Sequence, residues 1–311
     1  MLFRSLVNAQ KELTEDEVLL QVETTYWQIV NLKDKVIVAK EYIRLLATLQ
    51  TTLQNSFDAG LSYKNDLLQV NVQQNDAELN LMKINNGLFM AKKNLAQLMG
   101  IAPTEEIDVR DTGKEDITPM ALGNPDLSVD NRPEIKILTK NVELNELQTE
   151  LLKGNTRPTI AFSANGFHAA GKGINVTNSK DYISGFVGLV SVSIPIFDWG
   201  NRKNKVKEQG LKTEAQKIGL EDTKEILQLE VQNNYLLLQQ SVKRIELAQK
   251  SFGQAEENLR INQDRFDAGT VLADKVLEAQ VLWQRAFSSI IDSHTEYKIN
   301  EARYKKSIGE Y

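Results

Sequence analysis

The chain has 311 residues, a formal net charge of −5, no cysteine, two histidines and six prolines. Without cysteine there is no disulfide framework, no thiolate zinc site and no cysteine nucleophile. His168 and His294 alone leave little for a histidine-based metal centre, and the mild acidity argues against nucleic acid as a partner, since that needs a basic footprint.

The prolines are Pro103, Pro119, Pro125, Pro133, Pro158 and Pro195, so residues 1–102 and 196–311 contain none. Proline inside a helix removes a hydrogen bond and clashes with the preceding turn. The two proline-free blocks can therefore carry long helices. The N-terminus, MLFRSLVNAQKELTEDE, turns polar too early to be a secretory signal peptide. No apolar run of about eighteen residues, the length needed to span a bilayer, occurs.

In the first block, Val18, Val22, Thr25, Ile29, Leu32, Val36, Ala39, Ile43, Leu46, Gln50, Leu53 and Phe57 follow a strict 4,3 spacing. This is the 3.5-residue repeat of a coiled-coil seam. Phe57-Asp58-Ala59-Gly60 then breaks the helix. The pattern resumes through Leu67, Val70, Gln74, Ala77, Leu81, Ile84, Leu88, Ala91, Leu95 and Leu98. The reading is a long helix, a turn at the glycine and a helix running back.

Residues 103–131 read as a linker. Asn131-Arg132-Pro133-Glu134 opens a helix, with Asn as cap, Pro in the first turn and Glu on the positive end of the dipole. Ile135, Leu138, Val142, Leu147 and Leu151 are its expected buried stripe, and Gly154-Asn155 ends it. Two strand-like runs follow, Thr159–His168 and Tyr182–Ile194, separated by a polar, glycine-rich loop at 169–181 that contains Gly171-Lys172-Gly173. Phe186, Val190, Val192 and Ile194 share one face, with Ser191 and Ser193 on the other. This alternation fits either a membrane-barrel strand, with Phe186, Val190, Val192 and Ile194 facing lipid, or a soluble hairpin laid on the helices. Trp199 could sit in an interfacial aromatic belt or serve in packing.

The second block repeats the first. Phe266-Asp267-Ala268-Gly269 stands 209 residues after Phe57-Asp58-Ala59-Gly60, and the same offset pairs Val22 with Val231, Tyr26 with Tyr235, Ala39 with Ala248, Leu68 with Leu277 and Gly100 with Gly309. Its seam reads Leu227, Val231, Asn234, Leu238, Ser241, Ile245, Ala248, Phe252, Ala255, Leu259, Asn262 and Phe266. The returning frame is interrupted by Ser293, Asn300 and Ser307. A helix over 200–266 would be roughly 100 Å long and must pack along a partner. By themselves, the periodicities also fit an antiparallel coiled-coil hairpin used as a spacer. No nucleophile–base set or phosphate loop stands out, so no enzyme activity and no cofactor are expected.

The order of these features resembles the TolC family of outer-membrane efflux proteins. The residues that carry the resemblance are Arg132-Pro133-Glu134, Arg157-Pro158, Ile194-Pro195-Ile196-Phe197-Asp198-Trp199-Gly200, and the turns Phe57–Tyr63 and Phe266–Thr270. It implies a mainly α fold: two long antiparallel helical hairpins in tandem, plus one β-hairpin contributing to a trimeric outer-membrane barrel. The implied division is 1–102 and 200–311 as hairpin repeats, 103–131 as linker and 132–199 as short helix with membrane β-hairpin. It further implies a homotrimer in outer-membrane lipid, a periplasmic adaptor (membrane fusion) protein, an inner-membrane pump and passive export of small molecules or proteins. The adaptor would dock at Ala59, Gly60, Leu61 and Ser62, and at Ala268, Gly269, Thr270 and Val271. Gate positions fall on Asp66, Lys275 and Glu278, where Lys275 departs from an acidic ring; Asp66 also suits the N-terminal dipole of its helix.

A complete member of that family has two strand pairs per protomer. The offset of 209 maps 159–196 onto positions −50 to −13 and Met1 onto Gly210, so the expectation is a first repeat lacking its opening helix and first hairpin. The alternative function is a soluble coiled-coil scaffold with no transport role.

Overall fold

The computed structural model describes residues 2–60, 63–102, 105, 107–110, 127–175 and 180–311. Among these, five helices and two strands follow in the order α1 (Leu2–Asp58), α2 (Lys64–Leu98), α3 (Pro133–Gly154), β1 (Thr159–Asn175), β2 (Lys180–Ser193), α4 (Asn201–Asp267) and α5 (Ala273–Ser307). The fold is mainly α with one antiparallel hairpin, as the periodicities indicate. Leu61, Ser62 and most of the 103–131 stretch lie outside the described residues.

The repeat extends to the ends of the elements. α1 and α4 both stop at the Asp of the repeated tetrapeptide, and α2 and α5 begin and end 209 residues apart. The glycines after them, Gly60, Gly269, Gly100 and Gly309, all have φ between 70° and 75°. After α2, Gly100 N donates to Gln97 O and Ile101 N to Ala96 O; after α5, Gly309 N donates to Lys306 O and Glu310 N to Lys305 O. Both are left-handed caps that satisfy terminal carbonyls.

The chain divides into two compact units. The larger comprises Asn8–Glu134 and Lys224–Tyr311 and holds both hairpins. The α4 seam is covered along its length. Leu227, Val231, Asn234, Leu238, Ser241, Ile245, Ala248 and Ala255 are buried; Phe252, Leu259, Asn262 and Phe266 are half-buried. The α1 seam is buried at Thr25, Ile29, Ala39, Leu46 and Leu53, but Val18 and Phe57 are exposed. α1 also buries Val30, Val38, Tyr42 and Leu49 off the seam, because it packs on α2 and α5 together. One core joins Leu46, Leu49 and Leu53 of α1, Val70 and Ala77 of α2, and Ala273, Val276 and Trp283 of α5. The two hairpins thus pack against each other, which a lone spacer hairpin would not do.

The interruption expected at Ser293, Asn300 and Ser307 is not a weak point. All three are at most 4% exposed. Ser293 and Ser307 donate to Ile290 O and Tyr304 O, each at 2.7 Å, and Asn300 Nδ2 lies 3.4 Å from Leu237 O. Small side chains that bond to backbone let α5 come close to its neighbours at no cost in unsatisfied polar groups.

Arg132 ties the start of α3 to the second hairpin. Its side chain is 3% exposed; Nη2 donates to Glu134 at 2.7 Å and Nη1 to Glu230 at 2.8 Å. Asp108 anchors the segment after α2, through Lys92 at 2.8 Å and Lys33 at 3.3 Å. Hydrogen bonds from Lys92 and then Lys33 hold its carboxyl down at about 2.

The second unit comprises Met1–Val7 and Ile135–Thr223. In α3, Ile135 and Val142 are buried, but Leu147 and Leu151 are 55% and 66% exposed, so the expected stripe fails in its second half. There the contact with α4 is polar. Gln209 Nε2 donates to Asn145 Oδ1 at 2.9 Å, and the Thr149 and Thr213 hydroxyls meet at 3.3 Å.

β1 and β2 pair antiparallel from Thr159↔Ser193 to Ala170↔Tyr182, then, past an irregularity, at Asn175↔Lys180. The strands are longer than alternation suggests. Gly171-Lys172-Gly173 lies on β1, not in a loop, and Ile194 falls just past β2. Ladder hydrogen bonds use backbone groups, so they continue where side-chain alternation fades.

Gly269 tests the turn geometry. An added Cβ would meet nothing within 4 Å, so any cost of Gly269→Ala comes from φ of 70° alone. Urea unfolding is expected to show a loss of about 1–2 kcal/mol. An unchanged midpoint would mean that the turn relaxes.

Candidate functional site

Two regions carry the expected functional residues. The first is the pair of turns closing the hairpins. At the first, Ala59 N donates to Asn55 O at 3.1 Å and Gly60 N to Phe57 O at 2.9 Å. At the second, Gly269 N donates to Phe266 O at 2.9 Å, and the amide and hydroxyl of Thr270 donate to Arg265 O at 2.8 and 2.9 Å. Ala59, Gly60, Ala268, Gly269 and Thr270 are exposed, and Val271 is half-buried. The core beneath contains Leu53, Leu67, Phe266 and Val276, so the two turns stand side by side at one end of this unit.

The structure adds two residues that periodicity did not single out. Tyr63 and Leu272 are the N-cap residues of α2 and α5, and they are 78% and 70% exposed. They are repeat equivalents, so each turn presents one large side chain at the same place. Their signal in the sequence was an apolar residue where a capping Ser, Thr, Asp or Asn is usual.

Of the gate positions, Asp66 is half-buried in the first turn of α2, while Lys275 and Glu278 begin α5. Lys275 Nζ pairs with Glu278 at 2.9 Å. The hydrogen bond that Lys275 donates to the Glu278 carboxylate, and then the carboxylate's charge, raise the Lys275 pKa, so the lysine stays cationic.

The second region is the strand pair. Directly opposed residues share a face, so the register puts Ile160 and Phe162 with Phe186, Val190 and Val192. These five are 59–74% exposed, and Ile194, which continues the series, is 61% exposed. The other face carries Thr159, Ala161, Ser163 and Asn165 opposite Val187, Leu189, Ser191 and Ser193. Phe167 covers Gly185, where an added Cβ would come within 2.7 Å of the ring. His168 and Tyr182 have ring centroids 6.0 Å apart, and below β2 Phe197 and Trp199 meet edge-on at 4.9 Å.

The turn from β2 into α4 is held by Asp198. Its carboxylate accepts from Gly200 N at 3.1 Å and Arg202 N at 2.9 Å. Trp199 has φ of 57°, a left-handed conformation, beside Gly200 at 77°. Local side-chain caps of this kind stabilise such turns. Among the described residues, no helix is long and apolar enough to cross a membrane. That bears on helices only, not on a barrel built from strands.

Comparison with known proteins agrees with this geometry. A family model described as "Outer membrane efflux protein" matches residues 124–310. The chain is 23% identical over 303 residues to toxin and drug export protein A of Aggregatibacter actinomycetemcomitans, covering 96% of this chain and 65% of that protein. Solved structures share the fold, and two of them serve as examples. The outer membrane protein VceC of Vibrio cholerae has a TM-score of 0.82 at 15% identity, over 98% of this chain and 72% of that one. The outer-membrane channel OprN has 0.86 at 16%, over 99% and 69%. The family model alone spans well over half of the sequence, strand pair and second hairpin included, and the chain belongs to the outer membrane efflux protein family.

Proposed function

We propose that the chain is a component of a passive outer-membrane exit duct in a tripartite efflux or type I secretion system. Three copies pool their strands into one barrel in the outer membrane, with Phe186, Val190, Val192 and Ile194 toward lipid. Residues 132–199 form the membrane part with its short helix, residues 103–131 form the linker, and the hairpins of 1–102 and 200–311 line a periplasmic tunnel. An inner-membrane pump supplies the energy. A periplasmic adaptor docks at the turns around Ala59, Gly60, Leu61 and Ser62, and around Ala268, Gly269, Thr270 and Val271, with Tyr63 and Leu272 as the exposed anchors. Asp66, Lys275 and Glu278 stand nearest the tunnel mouth. Lys275 offsets Glu278, so a ring of that pair carries little net charge and selects weakly between ions.

The observation that carries this reading is the strand pair. A two-stranded sheet is at best marginally stable in water, and this one leaves its large apolar side chains exposed. Strands in hydrocarbon must be closed into a barrel, since every backbone group needs a partner.

Since the chain has no cysteine, single cysteines can be placed cleanly. In the source bacterium the protein is expected to fractionate with the outer membrane as a trimer. Thr270→Cys, treated with a bifunctional cross-linker, is expected to yield an adduct whose partner peptide comes from a periplasmic adaptor hairpin. Recovery as a monomer in the soluble fraction overturns the duct reading in favour of a scaffold. A trimer in the membrane with no adaptor adduct overturns only the docking assignment.

A further inference from the structure

The turn from β2 into α4 joins two kinds of exposed chemistry. Ile196, Phe197 and Trp199 are 93%, 74% and 88% exposed, a dense apolar cluster on so short a stretch. Directly after it, residues 201–207 read Asn-Arg-Lys-Asn-Lys-Val-Lys, four cations in seven positions of a chain whose net charge is −5. Lys203, Lys205 and Lys207 are exposed, and Lys203 and Lys207 stand one helical turn apart on the same face of α4. Neither has an ion-pair partner among the described residues. Arg202 has Asp198 at 3.5 Å from Nε, but its Nη1 is shielded from water and has no acceptor among the described residues.

Trp199, left-handed at φ of 57°, sits between Asp198 and the two backbone amides that the Asp198 carboxylate caps, and its indole is 88% exposed. Aromatic residues followed by lysines and arginines mark the level at which hydrocarbon gives way to charged headgroups. The exposed apolar series Val190, Val192, Ile194 leads directly to this turn.

We propose that Ile196, Phe197 and Trp199, with Arg202, Lys203, Lys205 and Lys207, form a docking site for anionic phospholipid headgroups at the membrane surface. The aromatic side chains enter the interface and the cations hold the phosphates. The site fixes the depth of the strand pair. This inference rests on the membrane placement of β1 and β2 proposed above.

The test compares the full 311-residue chain with Lys203→Gln/Lys205→Gln/Lys207→Gln on vesicles of phosphatidylethanolamine alone or with phosphatidylglycerol. At about a factor of five per lysine, phosphatidylglycerol is expected to strengthen partitioning of the unaltered chain on the order of 100-fold over the triple variant. Raised salt should shrink that gap. Brominated lipid should quench the part of the emission that Trp199→Phe removes. Protease protection of the strand pair is read in parallel. Insertion with no preference for phosphatidylglycerol, or a preference that the variant retains, overturns the headgroup site and leaves the duct reading standing. Full competition by inorganic phosphate also overturns it, by assigning the cations to a soluble anion. Failure to insert into either vesicle overturns both.

Discussion

Phe186→Arg is expected to abolish stable assembly in the outer membrane while leaving the helical content intact. Phe186 stands opposite Gly166 near the middle of the paired strands and is 74% exposed. Gly166 places no side chain opposite it, and a Cβ added there would meet nothing within 4 Å. An arginine facing lipid near the bilayer midplane costs about 2–4 kcal/mol per copy. A barrel pooled from several copies multiplies that cost. Ser191→Arg, on the opposite face, is expected to insert nearly normally. The measurement is the fraction of protein that resists extraction by alkaline urea after membrane isolation. If Ser191→Arg fails and Phe186→Arg inserts, the two faces have been assigned the wrong way round. If both behave as wild type, the strand pair is not in lipid.

The second large effect is expected at Arg132. Its guanidinium is 3% exposed; it bonds Glu134 through Nε and Nη2, Glu230 at 2.8 Å, and lies 3.5 Å from Ser307 O. Removing Arg132 leaves Glu134, 23% exposed, partly desolvated and unpaired, while Glu230, 43% exposed, stays hydrated, a loss of about 2–3 kcal/mol. Arg132→Ala should therefore shift urea unfolding strongly, and Arg132→Lys should recover little, because a single ammonium cannot grip two carboxylates in a fork. Arg132→Met combined with Glu134→Gln and Glu230→Gln should recover much of the loss, since no buried charge is then stranded.

The pH dependence follows from the same contact. Burial alone would raise the Glu134 pKa, but the hydrogen bond from Arg132 outweighs it and the net shift is downward. A depressed carboxyl contributes stability above its unfolded pKa and loses it as pH falls through the folded one. Wild type should weaken more than Arg132→Ala as pH falls below about 4. A parallel decline would show that the pair does not titrate as a unit.

Several features of this fold were legible because they are local. A 4,3 spacing sets which helix face is apolar whatever the partner, so the seams of α1 and α4 could be read directly. Glycine after a long helix marks a left-handed cap, and all four such glycines adopt it. The duplication at 209 residues predicted equivalent turns, and the element ends coincide at that offset. The apolar face of β2 was legible from its period of two.

What only the tertiary structure decided is which faces find a neighbour. α2 and α5 are repeat equivalents of equal length, yet α2 buries four residues within the chain and α5 buries twelve. Both have the periodicity of a seam; only α5 lies between two long helices. That position turns Ser293, Asn300 and Ser307 from apparent flaws into close-packing sites. It also gathers Arg132, Glu134, Glu230 and Ser307 O, the two distant ones standing 98 and 175 positions from Arg132, into one contact around a buried guanidinium. In the sequence, Arg-Pro-Glu reads as the opening of a helix, because capping and the helix dipole act over a single turn. Burial depends on partners far along the chain, and no local pattern encodes them.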